Sequence, residues 1–177
     1  MPENETLVYD TRSASRWRPI AERLDRGQSP VDLFPEIQDQ FYTALQKVLR
    51  QWRERGVDAA HLFDAALNDP KALQDLIKKL SFDRNAQLVR DVAACRQDAD
   101  MAQIISGFLN AAWEVVDTQL GLSRRYESQS LEFIGLVHRM LSRIAGSLID
   151  NPSRMLKRPS RNEPPPDLDT QLEESLL

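Results

Sequence analysis

Apolar positions recur three and four residues apart along most of this chain and β-branched runs are few, so the pattern predicts helix. The clearest run is Ile37, Phe41, Leu45, Val48 and Trp52, which predicts an amphipathic helix over about 35–55, stopped by Gly56. Before it, "RPIAERLDRG" predicts a short helix with Pro19 as its first residue and Gly27 as its stop, and "SPVDLFPE" reads as a turn. Order is expected from near Ser15. After it come shorter helices over 58–67, 70–80 and 83–95, with "NDP" at 68–70 supplying a cap and a first-turn proline, and Ser81 as a candidate cap.

The segment from Met101 to Leu120 is apolar around most of its circumference, which places it near the centre of a bundle. Its polar remainder, Gln103, Ser106, Asn110, Glu114 and Asp117, forms one narrow stripe, expected to face solvent. A last long helix carries Phe133 and Met140 beside the series Ile134, Val137, Leu141, Ile144 and Leu148, which resembles a coiled-coil seam. "DNP" at 150–152 stops it. Gly107, Gly135 and Gly146 lie inside helices at a propensity cost of about 1 kcal/mol each relative to alanine. Because Gly135, Ser142 and Gly146 share a face, close approach by a neighbouring helix of the chain is the expected compensation, with a second subunit as the alternative.

The expected architecture is therefore all-α: residues 1–14 as a flexible N-terminus, 15–150 as a single bundle of five to seven helices, and 151–177 as a flexible Pro-rich C-terminal tail. With 177 residues, 41% hydrophobic and 28% charged, the chain has the size and balance of one globular domain. A net charge of −4 argues against coating nucleic acid or anionic membrane by bulk attraction. The acidic start lacks a signal-peptide pattern, and no run reaches the 18 apolar residues of a membrane span. A soluble, cytoplasmic protein is expected.

Few residues suggest chemistry. His61 and His138 are the only histidines and Cys95 the only cysteine, so a typical structural zinc site is excluded. Phosphate-loop, dinucleotide and hydrolase-elbow motifs do not occur. No catalytic residue, metal or cofactor is expected, and Cys95 is read as a small buried hydrophobe. Three clusters mix arginine with aromatics: Arg16, Trp17 and Arg18; Arg50, Trp52 and Arg53; Arg124 and Arg125 beside Tyr126. Guanidinium forks and aromatic faces would suit RNA or single-stranded DNA. The preferred account is that the arginines complement helix ends and the tryptophans anchor the core. A small-molecule pocket around Trp113 is a third option.

The tail separates its charge into a basic block, Arg154, Lys157, Arg158 and Arg161, and an acidic one, Glu163, Asp167, Asp169, Glu173 and Glu174. Pro164, Pro165 and Pro166 keep the connector extended. Leu168, Leu172 and Leu176 fall on one face if the last eleven residues become helical, with Leu177 beside them. Burying four leucines is worth roughly 6–12 kcal/mol. Ordering ten or so backbone units at about 1–2 kcal/mol each offsets most of that. The expectation is a weak docking peptide of the helix-in-groove kind, against a disordered end or a helix folded back on its own bundle. The expected role is a non-catalytic adaptor, scaffold or accessory protein. Its partner is another protein, a multi-subunit assembly or a second copy, with nucleic acid ranked below protein.

Overall fold

The computed structural model describes residues 11–80, 83–95, 98–122 and 131–150, the first six of them by their backbone. Among the described residues there are seven α-helices and no strand: α1 (Thr11–Asp25), α2 (Pro30–Glu54), α3 (Ala59–Asn68), α4 (Pro70–Leu80), α5 (Arg84–Cys95), α6 (Met101–Leu120) and α7 (Leu131–Asp150). The all-α expectation holds. None of the helices is long and apolar enough to cross a membrane. The tail at 151–177 lies outside the described residues.

Helix ends follow local chemistry. Ser29 caps α2 by accepting from the Val31 N–H, with Pro30 as the first helical residue. The expected turn at 29–36 is thus the start of α2, and Pro35 sits inside the helix. Pro19 likewise lies within α1, which begins at Thr11 and not at the proline. Each internal proline removes one backbone hydrogen bond. Burial of Trp17, Ile20 and Leu24 around one and of Leu33, Phe34 and Ile37 around the other offsets that loss.

Asp58 caps α3. Asp69, within the "NDP" expected to supply a cap, caps α4 by accepting from the Ala72 N–H at 3.1 Å. The Asp83 carboxylate accepts from the Asn85 N–H at 2.9 Å, filling the role expected of Ser81, which lies outside the described residues. Asp100 and Gln103 close a capping box at the start of α6. Gly27, Gly56 and Gly121 end their helices in left-handed conformation, as their sequence positions predict.

The centre belongs to α6, which packs against α7, α5, α3 and α1. Two rows of rings run through it. In one, Phe34 of α2 meets Phe133 of α7 at 6.2 Å, edge to face; Trp113 of α6 lies 6.5 Å from Phe133 and 5.9 Å from Phe41. In the other, Phe108 of α6 lies between Trp52 of α2 at 6.1 Å and Phe63 of α3 at 5.9 Å. The polar stripe of α6 faces outward and bonds locally: Asn110 donates to the Ser106 carbonyl and Thr118 to that of Glu114.

One internal glycine marks a close crossing, though not where expected. A Cβ on Gly107 would lie 2.6 Å from a methyl of Val92, so α5 and α6 approach there. By contrast, among the described residues nothing comes within 4 Å of a Cβ on Gly146, and only the Arg139 guanidinium nears one on Gly135. The neighbour expected against the Gly135, Ser142 and Gly146 face is not supplied by the described helices.

Candidate functional site

Trp52 is fully buried, and its indole N–H donates to Asp83 Oδ2 at 2.8 Å. The other oxygen of Asp83 accepts from the Asn85 side-chain amide at 3.0 Å, and Asn85 is itself 1% exposed. Beside them Arg55 Nη1 donates to the Leu80 carbonyl at 2.8 Å. These bonds join the end of α2 to the end of α4 and the start of α5. The cluster is satisfied internally and serves the fold.

Trp17 is 2% exposed. Both tryptophans named for stacking are thus core side chains, and a base would reach their ring faces only if they left the interior. Arg18, Arg50 and Arg53 are exposed. The Arg16 side chain, Arg124 and Arg125 fall outside the described residues, as do Leu168, Leu172, Leu176 and Leu177. Trp113 is half-buried between Phe41 and Phe133, where its ring joins the core.

Cys95 is exposed at the end of α5, contrary to its reading as a buried hydrophobe. The inner face of α5 carries Ala86, Val89 and Val92, and at 100° per residue Cys95 falls about 120° from Val89, off that face. His61 and His138 are exposed, and among the described residues no three His, Cys, Asp or Glu side chains gather as metal ligands. The Glu36 carboxylate has one buried oxygen without a partner, yet its other oxygen already accepts from Arg23 at 3.0 Å.

What stands out is the outer face of α7. Its inner face is built by Phe133, Val137, Met140, Leu141, Ile144 and Leu148, which pack against α6 and α2. Ile134, expected in that seam, is 47% exposed, because a stripe centred on Val137 and Ile144 leaves it at the edge. Leu131 is 87% exposed and Ile149 43%. At 100° per residue these two, eighteen positions apart, share one bearing. Between them on the same side run Gly135, His138, Ser142 and Gly146, with the Arg139 guanidinium lying over Gly135.

Arg139 and Arg143 stand one turn apart beside these residues. Arg139 Nε donates to the Gly135 carbonyl at 3.3 Å. Arg143 stands near the Tyr42 phenol: burial pushes that hydroxyl above its ordinary pKa of 10.0, and the guanidinium pulls the other way. Sequence reasoning placed Gly135, Ser142 and Gly146 on a contact face but missed Leu131, Ile149 and the two arginines. The signal was present in the eighteen-residue spacing and the four-residue spacing of the arginines. No protein-family model, curated protein or solved structure matches this chain.

Proposed function

We propose that this chain is a non-catalytic helical adaptor or assembly component that holds a protein partner at two places, the outer face of α7 and the leucine segment 167–177. The observation that carries this reading is the exposure of Leu131, Ile134 and Ile149 on one side of a helix whose other side closes the core. Exposed apolar side chains on one side of a helix favour an interaction surface, here Leu131 and Ile134 at its start and Ile149 about 27 Å along it. The glycines and serine between them permit close approach by another helix, and their helical cost of about 1 kcal/mol per glycine is otherwise uncompensated at Gly146. The tail adds leucines at helical spacing on a proline-stiffened tether, and two weak contacts joined by a tether reinforce one another.

Quantitative affinity capture with the full chain and with the Leu172→Asp/Leu176→Asp variant tests this. The reading predicts at least one protein retained in fixed stoichiometry by the natural chain and lost from the variant. Identical retention by both, or retention of nothing, contradicts it.

A further inference from the structure

We draw no further inference here: the strongest candidate, the outer face of α7 with Leu131, Ile134 and Ile149 exposed, belongs to the site already described, and nothing in the structure shows what covers it.

Discussion

Trp52 shows how one side chain can serve two parts of the fold. Its ring lies against Phe108 while its N–H satisfies Asp83 where α5 begins. Trp52→Phe keeps an aromatic ring but leaves a carboxylate oxygen without its donor, for an expected loss of about 1.5–3 kcal/mol in urea unfolding. Combined with Asp83→Ala it should cost less than the sum of the single changes, because both break the same bond. Tyr42 makes a prediction about pH. Burial raises its pKa above 10.0, so the neutral phenol is favoured in the folded state. Its contribution is fully present below about pH 10 and is lost as pH rises through the raised value, when the unfolded chain ionises first. Stability measured from pH 8 to 12 should fall at the alkaline end, and Tyr42→Phe should flatten that fall. Cys95, being exposed, should react with a thiol reagent in the native protein as completely as in the unfolded one.

Elements show which parts of the fold were legible in the sequence. Three- and four-residue periodicity located α3, α4 and α5 closely, α6 was located by its nearly all-round apolar run, and each of the four has an aspartate at its start. It placed the starts of α1 and α2 too late. Proline is usually a first-turn residue, and nothing local announces that a buried face is strong enough to carry a helix through one. Periodicity also cannot say which helix crosses which, so the compensation for small residues was assigned to α7 when the tight crossing is between Gly107 of α6 and Val92 of α5. The two positions predict opposite signs. Gly107→Ala should destabilise by about 1 kcal/mol on balance, as the stiff valine is forced aside. Gly146→Ala has open space and should stabilise by about 0.5–1 kcal/mol. Denaturant midpoints of the two variants read both.

At the scale of the molecule, the proposed function joins the outer face of α7 to the acidic leucine segment. The segment's leucine spacing was legible because it needs no tertiary information. The exposed face of α7 was not, since the exposure of Ile134 and Ile149 depends on how α7 is rotated against α6 and α2. The central claim is that the bundle closes its core without that face, leaving it for docking. The most direct test is the urea unfolding free energy of Ile134→Asp/Ile149→Asp against the natural chain. A difference within about 0.5 kcal/mol per site, with the same cooperativity, is the result predicted for surface positions. A loss of several kcal/mol, as follows when charge is forced into an interior, would contradict it.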